Sequence, residues 1–348
     1  MDVGINIKSK MKILLNCLIL ILIVGCKEEV NVDHPSSVEP ISSVDFTISA
    51  QEKTHYKFSS QIPPVITVPD GSVVEAFTQE ATGGQLNFNS TLDDYSKVDW
   101  KKVHVLTGPI YIEGAEVGDV LAVELLDLEP GEWGWTGMKP GFGFLAGEHE
   151  TSLFKTYELD KKNNLVHFSN NVSVPLKPFA GVMAVAPDTT AMLTTYPPRA
   201  NGGNMDDPNL VKGVTLYLPI FVKGALFSIG DPHAVQGHGE VVGTAVECDM
   251  RIRFRLKVLK DKTIMEAQYE SEEYYATTGF ATTIDEAAKK ATRYMVGHIS
   301  NTYNMSWDEA YMLCSLIGDL KIAEVVDKPH MLVTMHIPKS VFKISEKD

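Results

Sequence analysis

The chain has 348 residues, with 31 basic and 45 acidic side chains and a formal net charge of −14 at pH 7. An acidic balance of this size argues against binding to nucleic acid and against direct docking on anionic lipid. The length suffices for one large β domain or for two closely joined lobes.

The first 25 residues are predicted to be a lipoprotein signal peptide. Three lysines precede an apolar run from Ile13 to Val24, which is too short to span a bilayer. Gly25-Cys26 follows, and a small residue before a cysteine resembles the lipobox of bacterial lipoproteins, in which the cysteine is lipidated. The sequence thus predicts lipidation at Cys26 and a location in the bacterial cell envelope, on its periplasmic or surface side. An ordinary signal peptide with a chance cysteine is the alternative.

Residues 26–45 are predicted to be a flexible tether, because they lack periodic apolar positions and are rich in serine, proline and acidic residues. Loss of the signal peptide would leave 28 basic and 44 acidic residues, a net charge of −16. We expect contact with the membrane only through the lipid anchor. Cys248 and Cys314 would remain in the folded part, and their spacing does not decide whether they form a disulfide.

Residues 46–260 are predicted to form a β-sandwich of jelly-roll-like type. Short apolar runs such as Val120–Leu125 and Leu216–Val222 are separated by glycine, proline and aspartate. Residues 251–258 alternate strictly between basic and apolar, as expected of a strand with one wetted face. Many short strands with this punctuation are typical of a sandwich.

Residues 261–348 are predicted to be an α+β portion that completes the same catalytic unit. Thr283 and Ser306 each begin a capping-box pattern, and apolar residues at helical spacing follow both. A last strand, 331–337, would rejoin a sheet. The fold class is therefore mainly β, with C-terminal helices.

A glycine-rich stretch from Gly230 to Glu240 is the densest group of titratable side chains. Its eleven residues hold two carboxylates, two imidazoles, one amide and three glycines. Carboxylates and imidazoles suit zinc or calcium, and glycine lets a ligand or a strand come close. The alternative is a hairpin loop with solvated polar residues.

Four motifs occur in order along the chain: Gly108–Asp119, Gly202–Asp206, Tyr217–Ala234 and Gly237–Glu240. Together they resemble the acetamidase/formamidase family, over about residues 75 to 335. The resemblance implies hydrolysis of short linear amides to a carboxylate and ammonia, with some relatives opening lactams. It also implies a β-sandwich with an added α+β portion, and a divalent metal that is often zinc or calcium.

Two positions depart from the pattern of that family. His238 stands where the family usually has aspartate, and Pro232 where it usually has glycine. If the family's aspartate contacts metal or substrate, histidine would retune the metal or change the substrate. If it only shapes the turn, the replacement is harmless.

Amide hydrolysis needs a nucleophile, a polarised carbonyl and a proton for the leaving nitrogen. The chain has no G-x-S-x-G elbow, and neither Cys248 nor Cys314 lies in a glycine-rich motif. A metal-bound water is then the economical nucleophile, because zinc lowers the pKa of water from 15.7 to roughly 7. We therefore expect a divalent metal, zinc in first place and calcium as the alternative.

Five residues receive roles in this chemistry. His233 is the first-choice metal ligand, with Asp231 or Asp206 supplying a carboxylate. Glu240 is the expected general base and proton shuttle, and Asn204 would hold the substrate carbonyl or amide. The alternatives are structural: Asp231 as a turn cap, Glu240 as an exposed strand-start residue, and Asn204 as a turn residue.

Glu113, in a glycine-flanked turn, and His238 are further candidates for binding substrate, and a structural role is the alternative for Glu113. The sequence thus predicts a metal-dependent amidohydrolase that acts on a small linear amide and forms a homo-oligomer. A non-catalytic ligand-binding lipoprotein of the envelope and a lactam hydrolase remain as alternatives.

The lipobox predicts that Cys26→Ala abolishes lipidation and releases or mislocalises the protein. Stable attachment needs more than one acyl chain, so loss of the acylated cysteine removes the anchor. Membrane fractionation of wild type and variant measures this, and unchanged membrane association of the variant would show that the lipobox interpretation is wrong.

Overall fold

The structure is a computed structural model that describes residues 43–51 and 54–342. The predicted signal peptide, Cys26 and nearly all of the predicted tether lie outside the described residues, so those interpretations stay predictions. The described residues fall in one compact unit. None of their helices is both long and apolar enough to cross a bilayer.

The described residues form twenty strands and three α-helices. The strands are β1 Phe46–Ser49, β2 Thr54–His55, β3 Lys57–Phe58, β4 Ile66–Val68, β5 Val73–Thr78, β6 Leu106–Ile112, β7 Val120–Met138, β8 Leu153–Asp160, β9 Leu165–Ser169, β10 Val172–Pro175, β11 Phe179–Ala184, β12 Leu193–Thr194, β13 Gly202–Asn204, β14 Thr215–Pro219, β15 Phe227–Val235, β16 Val246–Leu259, β17 Gln268–Glu270, β18 Tyr274–Ala281, β19 Asp319–Glu324 and β20 Met331–Pro338. The α-helices are α1 Leu92–Ser96, α2 Ile284–Tyr303 and α3 Trp307–Ile317, and two short 3-10 helices span Trp100–Lys102 and Lys339–Val341.

Eighteen of these strands join in one hydrogen-bonded sheet, and β3 and β12 pair separately. The long strand β16 pairs antiparallel with β5, β7 and β15. Its alternation is the one expected from the sequence: Ile252 and Phe254 are fully buried. Between them Arg253 faces outward and donates to Glu75 at 2.8 Å. Inward side chains from strands far apart in the sheet contact one another, so the sheet curves round one main core.

The C-terminal portion adds helices to one face of this sheet. Met295 and Ile299 of α2 are fully buried and pack with Tyr275 of β18 and Ile337 of β20. Ser306 caps α3 with the reciprocal bonds of a capping box. The expected mainly β fold with C-terminal helices is confirmed.

The sheet brings the glycine-rich stretch and the C-terminal portion together. Strand β15 supplies residues up to Val235 and lies between β11 and β16. Beyond it, Gly239 N donates to Ala323 O at 2.8 Å, and Val325 N donates to Gly239 O at 3.2 Å. The end of β19 is therefore tied to the loop that contains Glu240.

Both cysteines of the described part are free and buried. Cys248 belongs to the main core of the sheet, whereas Cys314 lies in the core under the C-terminal helices. Burial raises the pKa of both thiols, to about 11 for Cys314. The question that the sequence left open is thereby answered, because the two do not form a disulfide.

The contact between β18 and α2 predicts opposite effects of two glycine substitutions. A Cβ at Gly279 would lie 2.3 Å from Ala287 O, whereas a Cβ at Gly297, within α2, would meet nothing within 4 Å. We expect Gly279→Ala to lower the free energy of unfolding by about 1–3 kcal/mol. Gly297→Ala should raise it by up to ~1 kcal/mol. Urea unfolding followed by circular dichroism measures both, and equal stability of the two variants would contradict the packing described.

Candidate metal centre and active site

Six carboxylates and two imidazoles meet in the core around the end of β15. All eight side chains are buried: Asp206, Asp231, Glu240, Glu247, Glu324, Asp327, His104 and His233. Within residues 54–342, the ion pairs that these carboxylates form are with the two histidines, not with lysine or arginine. A buried group this rich in negative charge needs protons or a cation.

The tautomer of His233 follows from its neighbour Gln236. The side-chain nitrogen of Gln236 donates to Asp206 O at 2.7 Å, so its oxygen faces His233 Nδ1 at 2.8 Å. Because that oxygen can only accept, Nδ1 of His233 must carry a proton and donate. In the neutral ring Nε2 then presents a lone pair, which is the form that binds a metal.

Around Nε2 of His233 stand two carboxylates. Glu247 Oε2 lies 3.1 Å away and Asp231 Oδ2 lies 3.4 Å away. Within the described residues, Nε2 itself, Asp231 Oδ1 and Glu247 Oε2 make no well-aligned hydrogen bond, and a protonated Nε2 would pair with the two carboxylates as an ion. The ligand atoms of this set lie within 4.8 Å of one another, which suits a single divalent cation.

A second set, Asp206, His233 and Glu240, meets the same distance criterion. Its nearest imidazole atom is Nδ1, 3.9 Å from Asp206 Oδ1. That nitrogen already donates to Gln236. The set of Asp231, His233 and Glu247 therefore fits a cation better.

The charges agree with this choice. Burial works against a protonated His233, but Glu247 and Asp231 outweigh it and raise its pKa well above the ordinary value. Burial works against an ionised Asp231, but His104 and His233 outweigh it and lower its pKa. Asp231 and Glu247 thus favour a positive charge beside Nε2 of His233. Either a proton on Nε2 or a bound metal ion would provide that charge.

On the other side of the cluster, the carboxyl groups of Asp206, Glu240 and Asp327 favour the protonated form. Burial, reinforced by neighbouring carboxylates, raises the pKa of Asp206, Glu240 and Asp327 well above ordinary values. The side-chain nitrogen of Asn204 donates to Asp327 Oδ2 at 2.6 Å and also to Asp206 Oδ2. Its oxygen, Oδ1, is buried and has no hydrogen-bond partner among residues 43–51 and 54–342. This side can store protons and offers one free acceptor.

The backbone is unusual where the acids sit. Asp206, Asp231 and Glu240 have φ of 41°, 53° and 44°, in the left-handed region that non-glycine residues rarely adopt. Opposite them Gly181 leaves the room they need, because a Cβ there would lie 2.3 Å from Asp206 Oδ1 and 2.7 Å from Asp231 Oδ2. Strained backbone of this kind clusters at functional sites.

The structure brings five of the sequence-predicted residues together, all of them buried: Asn204, Asp206, Asp231, His233 and Glu240. Two others lie outside the cluster.

Glu113 is exposed at the end of β6, where its backbone N–H donates to Val68 O at 2.9 Å. His238 is exposed too, near Asp207 and Lys321, and partial burial lowers its pKa. Their proposed contacts with substrate stay predictions.

Sequence reasoning missed five members of the site: Glu247, Glu324, Asp327, His104 and Gln236. Each stands beside valine or alanine in a short apolar run, in Ala-Val-Glu247, Ala-Glu324-Val, Val-Val-Asp327, Val-His104-Val and Ala-Val-Gln236. A lone polar residue in such a run was the available signal, because a buried strand rarely holds an unpaired charge.

Comparison with known proteins agrees with this geometry. The profile of the acetamidase/formamidase family matches residues 43–196 and 188–344. The chain belongs to this family. The resemblance of the four motifs is thus confirmed.

The relatives of this family member cover most of its length. A formamidase from Methylophilus methylotrophus is 25% identical over 83% of this chain and 89% of its own. The crystal structure of an acetamidase from Bacillus halodurans matches with a TM-score of 0.80 and 29% identity, over 85% of this chain and 98% of that one. An acetamidase from Yersinia enterocolitica matches with a TM-score of 0.79 and 27% identity, over 86% and 93%.

The close approach at Gly181 predicts that Gly181→Ala disables the site without unfolding the protein. The added methyl would displace Asp206 and Asp231, so metal binding should weaken by at least ~10–100-fold, the range known for changes around metal ligands. Metal content by mass spectrometry measures this, with Gly297→Ala as the control for a glycine replaced in open space. Full metal content in a folded Gly181→Ala protein would contradict the cluster described.

Proposed function

We propose that this protein hydrolyses a small linear amide, of the formamide or acetamide type, with a divalent metal ion held by Asp231, His233 and Glu247. Membership of the family makes the chain a hydrolase of linear amides. The observation that supports the metal is the group of buried, unpartnered ligand atoms around His233 Nε2. Imidazole and carboxylate both bind zinc, and three protein ligands are the usual number at a catalytic zinc; calcium is the alternative.

When bound, a cation of this kind supplies Lewis acidity for the amide carbonyl and makes a bound water acidic enough to attack near neutral pH. Side chains of the protein orient the ligands and keep space for the ion. Gln236 holds His233 with Nε2 toward the ligand set, and Gly181 keeps that space free.

Glu240 is placed to move the proton. Its raised pKa makes it a stronger base than an exposed glutamate, and it lies within ligand distance of Asp206 and His233. A carboxylate of this kind takes a proton from the attacking water and returns it to the leaving nitrogen. Asp206 and Asp327, whose charges lie near Glu240, also have raised pKa values.

Asn204 is placed to orient the amide. Both hydrogens of its side-chain nitrogen are directed to Asp206 and Asp327, so the free Oδ1 can only accept. A substrate –NH2 group is a matching donor. We infer that Asn204 holds the nitrogen end of the amide, next to the acids that protonate it.

Outside the site, two further proposals follow from the sequence. A lipid anchor at Cys26 would place this enzyme in the bacterial cell envelope, and the fractionation experiment described above tests it. A homo-oligomer is the assembly we propose, and sedimentation of the mature chain tests it; a monomer at micromolar concentration would contradict it.

Ammonia release from formamide and acetamide tests the proposed function. We expect turnover by the metal-loaded protein, loss of turnover after chelation, and recovery on adding zinc or calcium. Metal bound without any turnover on a panel of small amides would instead favour a binding protein.

Two isosteric variants separate ligand from base. Glu240→Gln should keep the metal and lose about 10²–10⁴ in kcat, the usual contribution of general acid–base catalysis. Glu247→Gln should lose the metal together with activity, and Glu158→Gln, the same change on the exposed face of β8, should alter neither. If Glu240→Gln empties the site while Glu247→Gln keeps its metal, the second ligand set is the correct one.

A further inference from the structure

The side of the cluster that carries Asp206, Glu240 and Asp327, here called the acid side, contains acceptors without donors. Asp206 and Asn204 are 1% and 2% exposed, and Oδ1 of each has no hydrogen-bond partner within residues 43–51 and 54–342. The two side chains are in contact, because Asn204 Nδ2 donates to Asp206 Oδ2. Two buried oxygens on adjoining side chains thus lack a donor, which is costly unless a ligand supplies one.

The carboxyl group of Glu240 completes this set of oxygens. Ligand atoms of Asp206, Glu240 and His233, one from each residue, lie within 4.8 Å of one another. Two acceptors that share one tetrahedral nitrogen at hydrogen-bond distance stand about 4.6 Å apart. The spacing of Asp206 and Glu240 therefore accommodates a single small donor between them.

The imidazole of His233 makes this place unsuitable for a metal ion. Its Nδ1 carries a proton that it donates to Gln236, so it has no lone pair to offer beside Asp206. Oδ2 of Asp206 and Oδ2 of Asp327 already accept from Asn204. The remaining oxygens fall short of the roughly six to eight that calcium takes, and no imidazole nitrogen remains for zinc. A cation that brings its own N–H groups fits these oxygens better.

The charges on the acid side also favour a cation. Within residues 54–342, the ion pairs of the clustered carboxylates are with His104 and His233, and none is with lysine or arginine. The contact that reaches the acid side is long, with 3.9 Å between Asp206 Oδ1 and His233 Nδ1. Because buried carboxylates need protons or a cation, a positively charged ligand is favoured here.

We propose that the acid side binds ammonium, with Asp206 Oδ1, Asn204 Oδ1 and a carboxylate oxygen of Glu240 as its acceptors. Ammonium has four N–H donors in a tetrahedron and no acceptor, so it matches oxygens that lack donors. Hydrogen bonds from an ammonium group to a carboxylate are assisted by charge and are about twice as strong as neutral ones.

The proposal rests on the proposed function, because that hydrolysis releases nitrogen at this place. The C–N bond breaks, and the attacking water gives its oxygen to the acyl carbon and both of its protons to the nitrogen. The products are a carboxylate and ammonium. Since Asn204 Oδ1 holds the amide nitrogen beforehand, the ion forms among its acceptors. Ammonium then occupies the place of the next amide nitrogen, so we expect it to compete with the substrate.

Thermal unfolding of the metal-loaded full chain tests for this site. The experiment is done near neutral pH, where little free ammonia is present to compete for the metal. Ammonium chloride should raise the Tm, with its half-maximal effect at a concentration at least ~10-fold lower than that of potassium chloride at equal ionic strength. Potassium has the same charge and nearly the same size but donates no hydrogen bond. Equal effects of the two salts would overturn the proposal.

Asp206→Asn tests the acceptor. Asparagine has nearly the shape of aspartate and tolerates the φ of 41° at this position, but it carries no charge. Ammonium should then need a ~10–100-fold higher concentration for the same effect, as expected for the loss of a hydrogen bond to a charged group. Asp188→Asn, the same change at an exposed position after β11, is the matched control and should respond as the wild type does.

A wild-type response of a folded Asp206→Asn protein would overturn the proposal. If circular dichroism shows that this variant does not fold, the comparison of ammonium with potassium on the wild type still decides.

Kinetics separate this proposal from the proposed function. Ammonium chloride should raise the KM for acetamide without lowering kcat, and potassium chloride should change neither. Turnover with no specific effect of ammonium on KM or on Tm would overturn the ammonium site and leave amide hydrolysis intact. Stabilisation specific to ammonium without turnover of any amide would support the site and contradict the proposed function.

Discussion

Burying negative charge is the constraint on which the rest of this structure depends. An ionised carboxylate taken out of water costs several kcal/mol unless a proton, a donor or a cation offsets the loss. The buried carboxylates fall into two groups that lie in different parts of the cluster. Burial and neighbouring carboxylates raise the pKa of Asp206, Glu240 and Asp327, whereas His104 and His233 lower the pKa of Asp231. One buried cluster therefore contains a part in which the carboxyl pKa values are raised and a part that favours a positive charge.

The fold holds this arrangement against local strain. Left-handed φ values at non-glycine residues cost about 1–3 kcal/mol each, and three of the carboxylates have them. Asp231 lies inside β15, between register pairs Ala180↔Pro232 and Val182↔Gly230 that hold the strand on both sides. Asp206 is anchored through its N–H to Gly181 O at 3.3 Å. The sheet thus forces the acids inward at the one place where its neighbouring strand has no side chain.

Much of the fold could be predicted from local patterns. The alternation at 251–258 marks a strand with one buried face, and the polar caps at Thr283 and Ser306 mark helix starts, because both depend on neighbours in sequence. The stretch Gly230–Glu240 also predicted the site from neighbours in sequence, because its titratable residues lie close together along the chain. The family motifs added Asn204 and Asp206 to the predicted site, which the density of titratable residues alone would not have done.

The remaining members of the site depend on contacts distant in sequence. Asp327 reaches Asn204 across more than a hundred residues, because β19 is tied to Gly239. Glu247 looks like an ordinary strand residue until β15 and β16 pair His233 with it. The sequence also could not predict that Glu113 and His238 are exposed and lie outside the cluster. A motif shows which residues are near in sequence, but not which of their side chains face the same site.

The two isolated, free cysteines have a consequence for where this protein can fold. Its sheet and helices close without a covalent cross-link, and both sulfurs are buried with a raised pKa, which makes them poor targets for oxidants and alkylating reagents. Native structure is then independent of thiol oxidants and disulfide isomerases. We therefore expect the described part of the chain to fold equally well with and without a thiol oxidant.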